Sequence, residues 1–384
     1  MRFLNILIIS SDNTGSGHKS IGEALLEQFK KYPEVNVKII EGYDANKVFG
    51  NTVSKSYGFL TRRARIVWKA VWNISVKRPD LISKITERSI KRYFVRLIEK
   101  EKPDLILSIH PHFNAPLLNI LFKNRYNIPF ITLLADLISI SPLWVDPRAD
   151  YIICPTIEAK ERCIGLGARK NRLEVMKFPV RERFYSSKIR ERLVISDDSS
   201  MPLKFLLMSG GEGVGNLGSI AETLLLNFNC KVKIITGRNT ILKNKLENKL
   251  CPLYGDKLEV YGYVTDVNKL MEQVDILISR GSPNVMMEAV ASNLPIIITG
   301  ELLEQEAENS LFMEKYNLGV LCKDLEDLHE TIAQLLSEDG KKLNSILESQ
   351  REYRDPDNAK KIVDFIIGVA EEFDANDSYN DNIS

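Results

Sequence analysis

The sequence predicts an α/β protein made of two doubly wound domains, and three observations carry that prediction. Apolar runs rich in branched residues alternate with longer amphipathic stretches, the alternation starts afresh near Lys204, and a glycine-rich turn follows the first strand of each half. Short buried strands alternating with helical stretches are the mark of βαβ units around a parallel sheet. The length agrees, since 384 residues exceed what a single core usually organises, at roughly 100–200 residues per domain.

Strands are expected near Phe3–Ser10, Val35–Glu41, Asp104–Ser108, Phe130–Ala135 and Tyr151–Cys154 in the first half. In the second they are expected near Phe205–Met208, Lys231–Ile235, Leu258–Tyr261, Asp275–Ile278 and Pro295–Ile298. The expected division is a first domain over 1–182, a linker over 183–202, a second domain over 203–355, a C-terminal helix over 356–374 and a frayed polar tail over 375–384. Whether that helix packs back on the first domain is left open. Sheets of this kind hold ligands outside the carboxyl ends of their strands, so a ligand is expected in a cleft between the halves.

Composition narrows the function. Lys plus Arg number 52 against 51 Asp plus Glu, a near-neutral balance that gives nucleic acid no global basic field to bind. The five cysteines (Cys154, Cys163, Cys230, Cys251, Cys322) are scattered without Cys-x-x-Cys spacing, which argues against a disulfide frame or a zinc site. The apolar start, Met1 to Ser10, reads as a first strand and not a signal peptide. No apolar run reaches the roughly 18–20 residues that span a bilayer, so a cytoplasmic protein is expected.

One stretch departs from neutrality. From Arg62 to Lys102 there are 13 Lys or Arg and 4 Asp or Glu, interleaved with Trp68, Trp72, Tyr93 and Phe94. Such helices lie on anionic membranes, with apolar groups inserted and cations near lipid phosphates. A solvated helical face over ordinary core aromatics fits the same residues.

The first glycine turn, Gly15-Ser-Gly17-His18-Lys19, joins the first strand to a helix, where Gly15 and Gly17 let a ligand approach the backbone. It is not a P-loop, because His18 stands between the last glycine and the lysine. His18 is a candidate proton acceptor, although a lone His here also serves as a cap. The second turn, Gly210-Gly211-Glu212-Gly213-Val-Gly215, must bend sharply or lie against a ligand. In Arg280-Gly-Ser282-Pro283-Asn284, Ser282 suits an N-cap and Pro283 a first helical residue. The free N–H groups of that helix start suit a diphosphate, and Glu288 farther along suits ribose hydroxyls, while an ordinary capped helix with a surface Glu fits the same residues. After the next strand, Gln305, Glu306 and Asn309 suit sugar hydroxyls, and an exposed acidic helix start is the competing account.

Taken in order, Gly15-Ser-Gly-His18, Gly210 to Gly215, Thr236-Gly237-Arg238-Asn239, Gly262-Tyr263-Val264, Gly281 to Glu288 and Gln305-Glu306 with Asn309 resemble the monogalactosyl- and glucosyl-diacylglycerol synthase family. These are relatives of the cell-wall transferase that adds N-acetylglucosamine to a lipid-linked precursor. The resemblance implies a GT-B transferase of two Rossmann-like domains, with donor UDP in the second and acceptor in the first. It implies inversion at the anomeric carbon, a base for the acceptor proton, and positive character near the diphosphate. The candidate bases are His18 and Asp136, the latter in a Leu134 to Trp144 segment like the family's Thr-Asp segment. His110, with Gly15 and Gly17, falls on the acceptor side. Gly211, Glu212, Gly213, Gly237, Arg238, Tyr263, Val264, Arg280, Ser282, Pro283, Asn284, Glu288, Gln305, Glu306 and Asn309 fall on the donor side.

The sequence departs from the family at Ser141, where plant relatives carry His, and at Arg280–Asn284, where a Lys-containing turn is usual. Arg280 keeps the charge but not the geometry of Lys. Asp355-Pro-Asp357 is the one Asp-x-Asp match and reads as a helix start, so no metal or other cofactor is expected. The expected partners are a UDP-sugar, a lipid acceptor, first of all diacylglycerol, and an anionic membrane surface reached from its cytoplasmic face. A UDP-sugar 2-epimerase and a non-catalytic UDP-sugar sensor are the competing expectations.

Overall fold

The computed structural model describes residues 3–11, 17–45, 79–185, 189–190, 193, 202–210, 213, 216–300 and 308–381. The chain forms two compact units, one of residues 1–181 with 357–384 and one of residues 182–356.

In the first unit the order is β1 (Leu4–Ser10), α1 (Gly17–Phe29), β2 (Val35–Glu41), α2 (Pro79–Glu101), β3 (Leu105–Ser108), α3 (Asn114–Asn124), β4 (Phe130–Leu133), β5 (Tyr151–Cys154), α4 (Ile157–Gly165) and β6 (Leu173–Val175). All neighbouring strands are parallel, in the order β2-β1-β3-β4-β5-β6. The reversal between β1 and β3 is the switch point at which such sheets hold ligands. Strands β3 and β4 are buried along their whole length, because helices cover both faces of an inner parallel strand.

The second unit repeats the plan with β7 (Leu203–Met208), α5 (Leu217–Asn227), β8 (Cys230–Ile235), α6 (Thr240–Tyr254), β9 (Leu258–Tyr261), α7 (Val267–Met271), β10 (Ile276–Ser279), α8 (Pro283–Ala291), β11 (Ile296–Thr299), α9 (Asn309–Lys315), β12 (Val320–Cys322) and α10 (Leu328–Tyr353). Its parallel order is β12-β11-β10-β7-β8-β9. Phe205, Ile234, Ile278 and Ile297 form its core with Leu224, Ile332 and Ile346 from the helices. At the exit of β8 the Asn239 side chain accepts the N–H of Leu242 at 3.0 Å and starts α6.

Every expected strand is present, and β6 and β12 are additional. Each spans three residues, too short for a period to register. The last helix, α11 (Asn358–Asp381), belongs to the first unit. It packs on α1, its Asp364 accepts the hydroxyl of Tyr32, and Phe365 meets Tyr151 edge-on at 5.1 Å. The backbone stays helical to Asp381, which corrects the frayed tail expected from Ala375; no Gly or Pro interrupts 375–381.

Within the expected linker, Arg190 is a fixed anchor of the second unit. Its guanidinium donates to the carbonyls of Met271, Val274, Ser292 and Asn293 at 2.7–3.1 Å. These carbonyls end α7 and α8, so a cation there also meets the negative end of each helix.

Candidate active site

At the carboxyl edge of the first sheet, residues from three strand exits converge. His18 enters from α1 and its ring centroid lies 4.6 Å from that of His110, which follows β3, and 6.1 Å from that of Trp144. The Trp144 indole N–H donates to the Asp136 carboxylate at 2.9 Å. Asp136, beyond the end of β4, is 8% exposed and His110 is 3% exposed. The two candidate bases and the acceptor-side His110 therefore share one cluster.

The loop that carries Asp136 and Trp144 is tied down on several sides. Asn114 donates to the Trp144 carbonyl at 3.0 Å, and Thr156, which caps α4, donates its hydroxyl to the Leu137 carbonyl. Arg148 grips Asp146 through two nitrogens, at 2.9 and 2.6 Å, and reaches Asn119 at 2.8 Å. Such supports hold the Asp136 carboxylate and the Trp144 indole in one orientation.

Two members of the cluster escaped the predicted site. Tyr43, just past β2, shares a 2.6 Å hydrogen bond between its hydroxyl and the Nδ1 of His112, and its ring meets that of His110 at 5.6 Å. The signal for Tyr43 was positional, an aromatic directly after a strand end; for His112 it was the second His of His110-Pro111-His112.

Burial holds the His110 imidazole well below its ordinary 6.5, with His18 and His112 adding to the effect, and burial lowers His112 to about 4. Both rings are neutral at pH 7. An unfolded chain takes up these protons near 6.5, the folded chain only at lower pH, so acid favours unfolding across that window. The melting temperature is expected to fall as pH drops from 6.5 toward 4. His110→Asn, which removes one of the two rings, should flatten that fall; equal slopes in both proteins would remove His110 from this account.

In the second unit four strand exits converge. Arg280, after β10, donates to the Ser209 carbonyl after β7 at 2.9 Å, and Asn239, after β8, donates to the Gly213 carbonyl at 3.0 Å. Arg238 lies over the ring of Tyr263, which follows β9, at 5.3 Å. Gly213 has φ +57°, and a Cβ there would fall 1.9 Å from the Thr236 carbonyl oxygen. Gly237, at φ +59°, makes the adjoining turn. Val264 continues the β9 exit and is half-buried.

Ser282 and Pro283 start α8 as expected, with Ser282 in an extended N-cap conformation. Helix geometry leaves the first N–H groups, those of Asn284 and Val285, without acceptors inside α8. Glu288 is 7% exposed, and a Cβ on Gly281 would lie 3.7 Å from Ser310, which brings the start of α9 and the buried Asn309 to the same edge. Ser209 and Ser279, not among the predicted site residues, add buried hydroxyls that have no hydrogen-bond partner among the described residues. The site thus offers a guanidinium and a helix N-terminus, with buried hydroxyls behind them, a combination suited to a phosphate. Gly15, Gly211, Glu212, Gln305 and Glu306 lie outside the described residues.

Two parallel Rossmann-like units of this topology define a GT-B fold. The fold is shared with the crystal structure of MurG from Acinetobacter baumannii, at TM-score 0.63 and 14% identity over 95% of this chain and 99% of that one. Residues 18–180 match the family described as monogalactosyldiacylglycerol (MGDG) synthase, and residues 219–338 match glycosyl transferases group 1. A processive diacylglycerol beta-glucosyltransferase from Bacillus licheniformis is 25% identical over 96% of this chain and 95% of its own. Monogalactosyldiacylglycerol synthase 1 of Arabidopsis thaliana is 28% identical over 93% of this chain and 69% of its own. The resemblance to the monogalactosyl- and glucosyl-diacylglycerol synthases is borne out by these relatives along nearly the whole chain, with the synthase family's own model confined to the first half, and the chain is a GT-B glycosyltransferase.

Proposed function

We propose that this protein is an inverting hexosyltransferase that moves glucose or galactose from a UDP-sugar to diacylglycerol. The observation that supports this reading is that each unit gathers a polar cluster at the carboxyl edge of its sheet, His18, His110 and Asp136 in the first and Arg280 beside the start of α8 in the second. In the first unit His18 takes the proton of the acceptor hydroxyl as that oxygen attacks the anomeric carbon. Asp136, fixed by Trp144, supplies negative charge to the cluster in which the imidazolium forms. In the second unit Arg280 and the N-terminus of α8 take up the negative charge that develops on departing UDP, and Glu288 holds the ribose.

The test is UDP release from a panel of UDP-sugars, with and without diacylglycerol in anionic vesicles. Release that requires the lipid and one hexose supports the reading and names the donor. Epimerised UDP-sugar without lipid, or UDP binding without turnover, would replace it by one of the two competing functions. The positive charge at the diphosphate comes from the chain itself, so EDTA is expected to leave the rate unchanged; loss restored by magnesium or manganese would overturn that assignment.

The acceptor is a membrane lipid, and no described helix is long and apolar enough to cross a bilayer. Peripheral attachment at the inner face of the cell membrane follows as part of the proposal. Helix α2 supports it, because Leu81 and Ile85 are about half exposed and share an outer stripe with exposed Lys84, Arg88, Arg92 and Arg96. Phe94 is fully buried and Tyr93 partly so, which corrects the expectation that these aromatics insert. They sit on the side of α2 that meets the core, where Phe94 fills space between neighbouring elements. Trp68, Trp72 and the rest of 62–78 lie outside the described residues. Replacing Lys84, Arg88, Arg92 and Arg96 with Ala should weaken binding to anionic vesicles by roughly 3–4 kcal/mol, at about 1 kcal/mol per cation. Sedimentation with vesicles measures it, and unchanged partition would remove α2 from the contact.

A further inference from the structure

The neutral side-chain network behind His18 has a role that the catalytic assignment leaves open. His110 caps the short helical turn of residues 111–113, its Nδ1 accepting the backbone N–H of His112 at 3.3 Å. An Nδ1 that accepts carries no proton, so neutral His110 carries its proton on Nε2. The donor in that cap is His112, whose own ring is tied to the Tyr43 hydroxyl at 2.6 Å. Tyr43 also meets the rings of His112 and Phe113 edge-on, at 6.4 and 5.0 Å, and Phe113 packs on His110 at 5.1 Å. Gly42 makes this packing tight, since a Cβ there would fall 2.3 Å from the Phe113 ring.

We infer that Tyr43 and His112 are positioning residues for sugar transfer, holding His110 in a single Nε2–H tautomer against the ring of His18. The inference rests on the transferase reading above. Its physical basis is electrostatic as well as steric. A second imidazolium 4.6 Å from His18 would oppose the proton uptake asked of a general base, and a neutral ring does not. A ring that changed tautomer would also present His18 with a lone pair in one state and an N–H in the other. Each transfer cycle would then begin from a mixed population, of which only one part is competent.

The test compares the full-length protein with Tyr43→Phe, His112→Ala and His112→Asn. Tyr43→Phe keeps the ring packing and removes only the hydroxyl. The Asn amide offers a donor or an acceptor near the position of Nδ1 and so should restore the bond to Tyr43. Tyr43→Phe and His112→Ala are expected to lower kcat about tenfold or more, as small losses of orientation do, with the KM for the UDP-sugar unchanged because the donor binds in the other unit. His112→Asn is expected to recover most of that loss. Nitrogen NMR of the His110 imidazole should show one tautomer in the parent and in His112→Asn, and a mixture in the other two.

Unchanged kcat in both disruptive variants overturns the inference. So does lost kcat that tracks lowered thermal stability while the His110 tautomer stays single. If the parent releases no UDP from any donor, the transferase reading fails by itself, and the NMR result still decides whether Tyr43 and His112 fix His110.

Discussion

Replacing His18 with Gln is expected to lower kcat for sugar transfer by roughly 10²–10⁴, the usual contribution of a positioned general base. UDP binding should persist, because the residues assigned to UDP belong to the other unit. The side chain stands at the start of α1, half-buried, where its ring meets His110 at 4.6 Å. Gln keeps polarity and similar reach and removes the basic nitrogen, so the loss reports proton transfer more than packing. Asp136→Asn should cost less, about 10–100-fold, as expected for a group that stabilises charge without taking the proton. Asn still offers an oxygen to the Trp144 indole, so that variant isolates the negative charge. The reverse order of effects would make Asp136 the base. Transfer intact in both variants would exclude the two residues from the chemistry.

The second large effect is on stability. Gly213→Ala is expected to destabilise the second unit by roughly 2–5 kcal/mol, from about 1–2 kcal/mol for the left-handed backbone and a further 1–3 for overpacking. The clash is with the Thr236 carbonyl oxygen, at 1.9 Å from the added carbon. That atom is backbone, in a turn already pinned by the bond from Asn239 to Gly213, and neither side can yield without breaking the other. At roughly 2–4 °C per kcal/mol for a domain of this size, the melting transition should drop by about 4 °C or more. UDP affinity should fall with it. Gly167→Ala is the comparison, since Gly167 has φ +96° and nothing within 4 Å; it bears the backbone strain alone. Equal losses at the two positions would show that the contact with Thr236 carries no weight.

Part of the local backbone geometry of the second unit was legible in the sequence, for a local reason. A glycine-rich turn that must bend sharply and a Ser-Pro helix start each answer to the few residues around them. Gly213, Ser282 and Pro283 therefore carry their geometry in the sequence, whereas the turn at Gly237 and the capping role of Asn239 came with the structure. The alternation of strand and helix likewise follows from burial on both faces of an inner strand, and it gave two parallel sheets without any long-range information.

Tertiary structure alone decided what meets what. His18, Tyr43, His110 and Trp144 form one cluster because β1, β2, β3 and β4 are neighbours in the order β2-β1-β3-β4, an order that no local period encodes. The neutrality of His110 arises from burial by chain segments distant in sequence, and so does the anchoring of Arg190 on four carbonyls. Phe94 shows the same limit. Its sequence neighbours are cations that read as a membrane face, and only the packing of α2 against the core turned that ring inward and left Leu81 and Ile85 outside.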